Sequence, residues 1–411
     1  MKKLVFLLCV FALTNASAQT PKVKTGIEVL RDRGFDILKG KRVGLITNPT
    51  GVDHALASTV DILAAAKGVK LVALFGPEHG VRGDYAAGDV VGTTKDPKTG
   101  VPAYSLYGMI HRPTPEMLKD IDVLVYDIQD IGCRSYTYIS TMGLAMESAA
   151  EAKIPFVVLD RPNPLGGVRI EGNVAEEGFF SFIGQYPVPY VYGLTCGELA
   201  ALLNGEKMLS GAARCSLQVI PMKGWKRTMT FEQTGLPWVP TSPHVPMETS
   251  PAYYVATGVL GELGVISEGV GYTIPFRTLA APWIDPYKLA DAMNALKLPG
   301  VLFRPIIFKP FYGRLKDSTL YGVQLHITDK PEVNLMGLQF HFLEVHNQLY
   351  PDRNPFTIGN PSRLKSFDLA AGTDQIRKTL MKNMKYEDVK GYLVKDIESF
   401  RKLSRRYYLY R

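Results

Sequence analysis

Polar residues suited to acid–base chemistry stand directly after four apolar runs of the chain. RVGLIT is followed by an asparagine, VALFGP by a glutamate and a histidine, and the runs VLVYDIQD and FVVLDRPNP carry aspartates at their polar ends. Two carboxylates on either side of a glycosidic bond, one donating a proton while the other activates water or stabilises positive charge, are the usual equipment of glycoside hydrolysis. The residues concerned are Asn48, Glu78, His79, Asp127, Asp130, Asp160 and Asn163.

Glu78 is the first candidate for an essential general acid, because a carboxyl at the end of an apolar strand is partly removed from water. Asp127 or Asp130 would then be the second carboxylate, and His79 would orient the acid or donate a hydrogen bond to a sugar. For any single one of these residues, a structural role as a helix cap or turn residue fits its position equally well. Their joint occurrence after successive apolar runs favours a shared pocket.

Other chemistries lack their usual motifs in this sequence. No G-x-G-x-x-G follows the first apolar run, and neither a G-x-x-x-x-G-K-[ST] nor a G-x-S-x-G motif occurs. No Cys-x-x-Cys occurs, and the seven histidines are dispersed along the chain. We therefore expect neither a bound cofactor nor a metal site.

The apolar runs predict the strands of a parallel sheet. They are rich in Val, Ile and Leu without polar alternation, as in strands covered on both faces. Helical segments such as STVDILAAAKG, TPEMLKDID and GLAMESAAEAK separate them, and SLQVIPM is a further strand candidate. This order predicts an α/β fold, in which the carboxyl ends of the strands share one edge and ligands bind outside it. The polar residues should therefore converge.

A second, smaller α+β domain is predicted for the C-terminal part of the chain. After the proline-rich segment WVPTSPHVPMETSP come a glycine-rich run, a helix in PYKLADAMNALKL, and two alternating segments, VLFRPIIFKP and LYGVQLHITD. Alternation indicates strands with one exposed face. A helix from about residue 331 to 350 and a basic terminal helix from residue 386 follow. The predicted domains are residues 22–245 and 246–411.

The N-terminus has the pattern of a signal peptide over residues 1–18. Two lysines precede an apolar run that is too short to span a bilayer, and Ala-Ser-Ala provides a cleavage site. We therefore expect a periplasmic or secreted protein without a membrane span after cleavage. Removing the two lysines lowers the formal charge from +8 to +6 (8 − 2). The basic residues form no stripe, so no nucleic-acid partner is expected.

Several separated motifs resemble one family, the NamZ-type exo-β-N-acetylmuramidases, formerly a domain of unknown function. The resemblance implies a Rossmann-like domain, a smaller C-terminal domain and an active site in the cleft between them. It also implies release of N-acetylmuramic acid from the non-reducing end of peptidoglycan fragments. The chain departs from the family pattern at Val270, where an arginine is common, and at Tyr192, where a histidine is common. The motifs are FGPEHGVRG (75–83), SLYG (105–108), DIQDIGCRSYTY (127–138), LDRPNPLGG (159–167), IEGN (170–173) and ISEGVGYTIPF (266–276).

The resemblance places the glutamate of the P-E-H-G motif at Glu78 and the acids of D-I-Q-D at Asp127 and Asp130. N-acetylmuramic acid carries a lactyl carboxylate, and Arg134 is the expected partner of that group, or alternatively the counter-charge of the two aspartates. Further substrate contacts are expected from residues that follow strands, lie in glycine-flanked loops or offer an aromatic face for a sugar. These residues are Asn48, His79, Tyr136, Asn163, Glu171 and Glu268.

A protein that only binds glycans is the alternative to an enzyme. In that case the same cleft and carboxylates would recognise sugar hydroxyls without turnover. Aromatic residues for sugar stacking are plentiful in either case. Turnover of a muramic acid glycoside would distinguish the two functions.

Overall fold

The apolar runs form the strands of a central sheet in the computed structural model, which describes residues 23–83 and 94–411. The predicted signal peptide, residues 1–18, lies outside the described residues. Within these ranges the strands are β1 Arg42–Thr47, β2 Lys70–Gly76, β3 Thr94–Lys95, β4 Pro102–Ser105, β5 Val123–Asp127, β6 Phe156–Leu159, β7 Glu171–Val174, β8 Pro189–Val191, β9 Leu217–Ile220, β10 Thr278–Ala281, β11 Val301–Phe308 and β12 Leu320–Ile327.

The helices alternate with these strands in the first half of the chain and dominate the second half. In the described ranges they are α1 Gly26–Asp32, α2 Thr59–Ala65, α3 Pro115–Leu118, α4 Tyr138–Ala152, α5 Cys196–Gly205, α6 Phe231–Thr234, α7 Ser250–Gly261, α8 Pro286–Ala295, α9 Leu335–Leu349, α10 Pro355–Ile358, α11 Ser362–Ala371, α12 Gln375–Asn383, α13 Tyr386–Val394 and α14 Ile397–Ser404.

The central sheet has the strand order β3-β4-β2-β1-β5-β6-β9, and all of its pairings except β3 with β4 are parallel. The chain moves outward from β1 through β2 and β4, and then returns to place β5 on the other side of β1. The sheet therefore has its switch point between β1 and β5, where Thr47 lies beside Asp127. This topology confirms the predicted α/β fold.

Side chains of the central strands alternate between two cores, one on each face of the sheet. Val43, Leu45 and Val125 belong to one core, whereas Leu124 and Tyr126 belong to the other, and all five are fully buried. Helices α1 and α2 contact the sheet through β6 and β2, and α5 contacts β6 and β9. Burying such a side chain typically contributes about 1.5–3 kcal/mol, so both faces stabilise the sheet.

The C-terminal region builds an antiparallel sheet in the order β10-β12-β11 that packs against α8. Helix α9 contacts α8 and packs on α7. The exposed positions of β11 alternate with buried ones at its start, as the sequence predicted. The end of the chain then returns to the first domain. There the Tyr410 hydroxyl donates to Asp160 at 2.5 Å, and its ring packs on Trp225 at 5.0 Å.

Several elements differ from the sequence-based expectation. The basic terminal helix is two helices, α13 and α14, and α4 begins five residues before the quoted helical segment. The start of the glycine-rich run is helical, because α7 extends to Gly261. Pro251 occupies the first turn of α7, where its missing N–H costs no hydrogen bond.

Two further features concern the helices and the cysteines of the described residues. Over residues 23–83 and 94–411, no helix combines the length and apolar character that crossing a membrane requires. The three cysteines of this part of the chain are buried and form no disulfide; they are Cys133, Cys196 and Cys215.

Candidate active site

Asn48 follows β1 at the switch point of the sheet and offers an unused hydrogen-bond donor. Its side chain is 3% exposed, and Oδ1 accepts from the backbone N–H of Thr50 at 3.0 Å. Its Nδ2 is buried without a hydrogen-bond partner of normal geometry among the described residues, although the side chain lies close enough to the Tyr138 hydroxyl to oppose the rise in the pKa of that phenol. A buried donor left without an acceptor costs about 1–3 kcal/mol, so this amide is suited to an acceptor on a bound ligand.

A tight turn after β2 presents Glu78 and His79. His79 adopts a left-handed φ of +74°, Gly80 follows with +75°, and the N–H of Gly80 donates to the carbonyl of Pro77 at 3.0 Å. At Gly76 a Cβ would lie 2.8 Å from the backbone nitrogen of Val81, so only glycine fits where the turn folds back. The turn thus fixes the position of Glu78, which is partly exposed.

Two tyrosines flank the Glu78 carboxyl. Tyr107 lies in the loop after β4, and its hydroxyl is hydrogen-bonded to Glu78; burial and this negative charge raise the pKa of Tyr107 to about 12. Tyr138 begins α4 and donates its hydroxyl to the carbonyl of Thr241 at 2.5 Å. Burial raises the pKa of Tyr138, and the charge of Glu78 adds to that increase. Tyr107 therefore bonds to the acid, whereas Tyr138 interacts with its charge without a hydrogen bond to it.

The second domain contacts this site through Tyr312. Nε2 of His244 and the hydroxyl of Tyr312 are hydrogen-bonded at 2.7 Å, and the two rings stack with centroids 5.9 Å apart. Burial lowers the pKa of His244, and the charge of the nearby His79 lowers it further. Tyr312 lies in the loop of residues 309–319 between β11 and β12. The turn that carries Glu78 therefore faces the C-terminal domain.

Glu268 is a second carboxyl that the C-terminal domain supplies. Its carboxyl packs against α7 at Gly261, where a Cβ would lie 2.9 Å from Cδ. Burial raises the pKa of Glu268 to about 7, with a further contribution from the like charge of Glu262 and an opposing one from Arg314. No side chain among the described residues forms a hydrogen bond or ion pair with Glu268. This carboxyl is therefore mostly protonated only below about pH 7.

Asp127 has a structural role, which corrects the expectation that it acts on substrate. Its side chain is fully buried, and Arg161 donates to its two oxygens at 2.5 and 3.0 Å. The hydroxyl of Thr59 also donates to Asp127, at 2.5 Å. A fully buried ion pair with both carboxylate oxygens occupied leaves no atom for a substrate.

Asp130 is a buried group whose Oδ1 has no hydrogen-bond partner among the described residues, so its expected catalytic role stays a prediction. It is 5% exposed, and Oδ2 accepts from the hydroxyl of Tyr192 and from the N–H of Gly132. Burial raises the pKa of Asp130 to about 6. Tyr192, one of the two departures from the family pattern, therefore donates a hydrogen bond to a buried carboxyl.

Arg134 contacts neither the cleft nor the two aspartates, so both expected roles are wrong. It is fully buried and donates to backbone carbonyls of Asn173, Val188, Ala370 and Ala371 at 2.7–3.2 Å. These carbonyls come from the β7–β8 region and from the end of α11. The guanidinium thus joins segments that are 182 to 198 residues apart in sequence (370 − 188 and 371 − 173).

Three more expected substrate contacts are engaged within the protein. Tyr136 is 9% exposed and donates its hydroxyl to Thr241 at 2.7 Å. Asn163 donates to the carbonyl of Leu194 and accepts from the N–H of Leu165, both at 2.9 Å.

Glu171, the third of these residues, connects the two domains. One oxygen pairs with Arg169 and the other accepts from the N–H of Met336, at the start of α9, at 2.8 Å. Burial raises the pKa of Glu171. The polar atoms of all three residues thus have protein partners, and their roles as substrate contacts stay predictions.

The structure brings together Asn48, Glu78 and His79 at the edge of the central sheet, and Glu268 remains a candidate from the second domain. Sequence reasoning did not assign roles to Tyr107, His244 or Tyr312. Tyr107 lies in the quoted S-L-Y-G motif, which was a usable signal, whereas His244 and Tyr312 are 68 residues apart and meet only in the fold. No group of three His, Cys, Asp or Glu side chains suited to a metal occurs within residues 23–83 and 94–411.

Comparison with known proteins assigns both halves of the chain to one family. The family model described as exo-β-N-acetylmuramidase NamZ, N-terminal, matches residues 43–249, and its C-terminal counterpart matches residues 252–410. The chain is 46% identical to the peptidoglycan β-N-acetylmuramidase NamZ of Bacillus subtilis (strain 168), over 96% of this chain and 93% of that protein.

Solved structures agree with this assignment. A DUF1343 family protein from Bacteroides fragilis NCTC 9343 is 57% identical and superposes with a TM-score of 0.92, covering 95% of this chain and all of that one. A second DUF1343 protein from the same organism is 29% identical, with a TM-score of 0.74 over 95% of this chain and 99% of that one. The chain therefore belongs to the NamZ exo-β-N-acetylmuramidase family.

Proposed function

We propose that this chain is an exo-acting glycoside hydrolase that releases N-acetylmuramic acid from the non-reducing end of peptidoglycan fragments. The observation that carries the proposal is the Glu78 carboxyl, held by a tight turn beside the switch point and facing the C-terminal domain. Family membership across both domains supports it, and the Bacillus subtilis relative is named as a peptidoglycan β-N-acetylmuramidase.

The two candidate carboxyls of the site differ in their surroundings. Glu78 is partly exposed and hydrogen-bonded to the Tyr107 hydroxyl. Glu268 lacks a side-chain partner among the described residues, and burial raises its pKa to about 7. We therefore assign the proton donor to Glu268 and the carboxylate to Glu78, the reverse of the expectation from sequence.

Asn48 and His79 would hold the sugar next to these carboxyls. The buried Nδ2 of Asn48 can donate to a hydroxyl or to the acetamido carbonyl, and that contact would remove the cost of an unpaired donor. His79 lies in the same turn as Glu78, so a contact from its ring fixes the substrate relative to the carboxylate.

Substitution of Glu78 by glutamine tests the assignment of this carboxylate. The change is nearly isosteric but removes the charge, and loss of a positioned acid or base costs about 10²–10⁴ in rate. The assay is release of a chromophore from a β-glycoside of N-acetylmuramic acid. Glu177→Gln, the same change at an exposed position of the first domain, is the matched control and should retain full activity.

The outcomes of this assay separate the hypotheses. Activity of Glu78→Gln within a few-fold of the wild type would remove Glu78 from the mechanism. Binding of the glycoside by the wild-type protein without any turnover would instead support the glycan-binding alternative.

The product anomer distinguishes two uses of the Glu78 carboxylate. A carboxylate that activates water directly gives inversion, whereas one that orients the substrate's acetamido group as internal nucleophile gives retention. Proton NMR of the first sugar released, recorded before the anomers equilibrate, reports which of the two occurs.

We further propose that the enzyme is exported and acts in the periplasm or outside the cell. The supporting observation is the sequence of residues 1–18, with two lysines, an apolar run and a small-residue cleavage site. Mass spectrometry of the protein from its native host should find a mature N-terminus near Gln19. Retention of Met1 in the exported fraction would contradict this proposal.

A further inference from the structure

N-acetylmuramic acid differs from N-acetylglucosamine by a lactyl ether that carries a carboxylate. A glycosidase that selects the first sugar needs a cation in its cleft, and Arg134 cannot supply it because it is fully buried. We propose that Arg314, from the C-terminal domain, recognises the lactyl carboxylate. This inference rests on the proposed function, since it identifies the substrate feature that the same site selects.

Other arginines at the carboxyl edge of the central sheet are already engaged. Arg82 donates to two aspartates, at 2.7 and 3.0 Å. Arg161 donates to both oxygens of Asp127, and Arg134 donates to four backbone carbonyls. Redirecting one of them to a ligand would leave a partner unpaired, which costs free energy when that partner is buried.

Arg314 differs from these arginines in having a free guanidinium. It is exposed, and it forms no hydrogen bond or ion pair in the part of the chain that the structure describes. Its guanidinium lies against Gly264, where a Cβ would be 2.6 Å from Nη1. Its positive charge also acts on Glu268, whose pKa it lowers against the larger effect of burial. Arg314 is therefore held near the proposed proton donor without being neutralised.

The loop of residues 309–319 is fixed at the site by contacts on both sides of Arg314. Two residues earlier, Tyr312 is hydrogen-bonded to His244, which in turn lies near His79. The N–H of Phe311 donates to the carbonyl of Gly271 at 2.7 Å. At Gly271, where φ is +95°, a Cβ would lie 2.3 Å from the carbonyl oxygen of Tyr312. This loop and the S-E-G-V-G loop of Glu268 therefore pack directly together.

Arginine is suited to this role by its planar group. The guanidinium can donate two parallel hydrogen bonds to a carboxylate and stays charged at every physiological pH. An anchor near Glu268 would orient the sugar ring between the proton donor and the carboxylate of Glu78. N-acetylglucosamine lacks the lactyl group, so it would gain nothing from Arg314.

Sugar binding tests the inference separately from turnover. In the Glu78→Gln background, we expect Arg314→Ala to weaken the binding of N-acetylmuramic acid about ten- to a hundredfold by calorimetry, because hydrogen bonds to charged groups contribute about 1.5–3 kcal/mol. Binding of N-acetylglucosamine should change by less than about twofold. Arg314→Lys, which keeps the charge but loses the fork, should recover part of the lost affinity.

Lys316→Ala is the matched control, because it removes a positive charge from an exposed position of the same loop. It should leave the affinities for both sugars unchanged. If Lys316→Ala weakened the binding of N-acetylmuramic acid as much as Arg314→Ala does, the effect would come from the positive charge of the loop in general, and the inference would be overturned. Equal losses for both sugars in Arg314→Ala would overturn it as well. A wild-type enzyme that binds the two sugars differently but hydrolyses neither glycoside would refute the proposed function and leave the role of Arg314 standing.

Discussion

Glu78 and Glu268 come from different domains and meet different surroundings. Glu78 lies in a strained turn and is hydrogen-bonded to Tyr107, whereas Glu268 lies half-buried against a glycine of α7. Burial raises the pKa of Glu268 and favours its neutral form, whereas Glu78 is held partly exposed. Acid–base catalysis often uses two titratable groups in different environments. Here Tyr107 contacts one carboxyl, and a glycine of α7 packs against the other.

The assignment of the proton to Glu268 predicts the pH dependence of the reaction. A proton donor acts only while it is protonated, and burial raises the pKa of Glu268 to about 7. The protonated fraction therefore falls as pH rises through that value, so kcat/KM should decline on the alkaline side with a midpoint near pH 7. The measurement is a profile from about pH 5 to about pH 9 with the chromogenic glycoside.

Glu268→Gln provides the control for this profile. The variant should lose most activity, and its residual rate should no longer show the alkaline decline. If kcat/KM of Glu268→Gln declined with the same midpoint as in the wild type, the decline would be due to a different titrating group. A flat profile across neutral pH in the wild type would contradict the role of Glu268 as proton donor.

The contact of α7 with Glu268 depends on the absence of a side chain at one helical position. At Gly261 a Cβ would lie 2.9 Å from both Cδ and Oε2 of Glu268, which is closer than Cβ atoms normally approach. At Gly258, about one turn earlier, a Cβ would meet its neighbours at 3.7–3.8 Å, an ordinary contact distance. The two glycines of the same helix therefore form a matched pair for substitution.

We expect Gly261→Ala to displace the Glu268 carboxyl and lower kcat/KM by more than about tenfold, because small displacements of a catalytic group reduce rates strongly. Gly258→Ala should retain activity and gain up to about 1 kcal/mol in stability from the better helix former. Enzyme kinetics and thermal unfolding of both variants provide the check. Equal activity of the two would show that the position of Glu268 is not critical.

The strands and the edge that carries the site could be predicted from sequence, because buried parallel strands are marked by unbroken Val, Ile and Leu. Which polar residues at that edge face the cleft could not. Asp127 is neutralised by Arg161, 34 residues further along the chain, and Asn163 is occupied by a carbonyl 31 residues away. Such partners are chosen by the three-dimensional packing, and spacing along the chain carries no signal of them.

The helix boundaries and the second domain illustrate the same limit. The glycines at the end of α7 gave no helix signal in the sequence, but in the structure Gly261 allows close packing of Glu268 on the helix. Tertiary contacts thus outweighed the low helix propensity of glycine. Arg314 could not be identified from sequence either, because only the folded loop brings it near Glu268.

Two of the contacts that join the domains each depend on one tyrosine hydroxyl. One contact, between His244 and Tyr312, lies at the cleft; the other lies at the end of the chain, where Tyr410 bonds to Asp160. The hydroxyl of Tyr410 also accepts from the N–H of Met222 at 2.9 Å, and Asp160 is fully buried. We expect the second contact to hold the molecule together and the first to arrange the site.

Removal of a single hydroxyl at each contact tests this division. Tyr410→Phe leaves a buried carboxyl and a buried N–H each short of a partner, so it should lower the free energy of unfolding by about 2–3 kcal/mol while sparing kcat/KM.

Tyr312 is 49% exposed, so Tyr312→Phe should change the free energy of unfolding little. Its lost hydrogen bond to His244, worth about 0.5–1.5 kcal/mol, frees the loop of residues 309–319, so kcat/KM should fall about two- to tenfold. Denaturant unfolding and kinetics on the same preparations give both quantities. A Tyr312→Phe enzyme with unchanged kinetics and reduced stability would show that the contact with His244 is structural. In that case the packing against Gly271 alone would order the loop of residues 309–319.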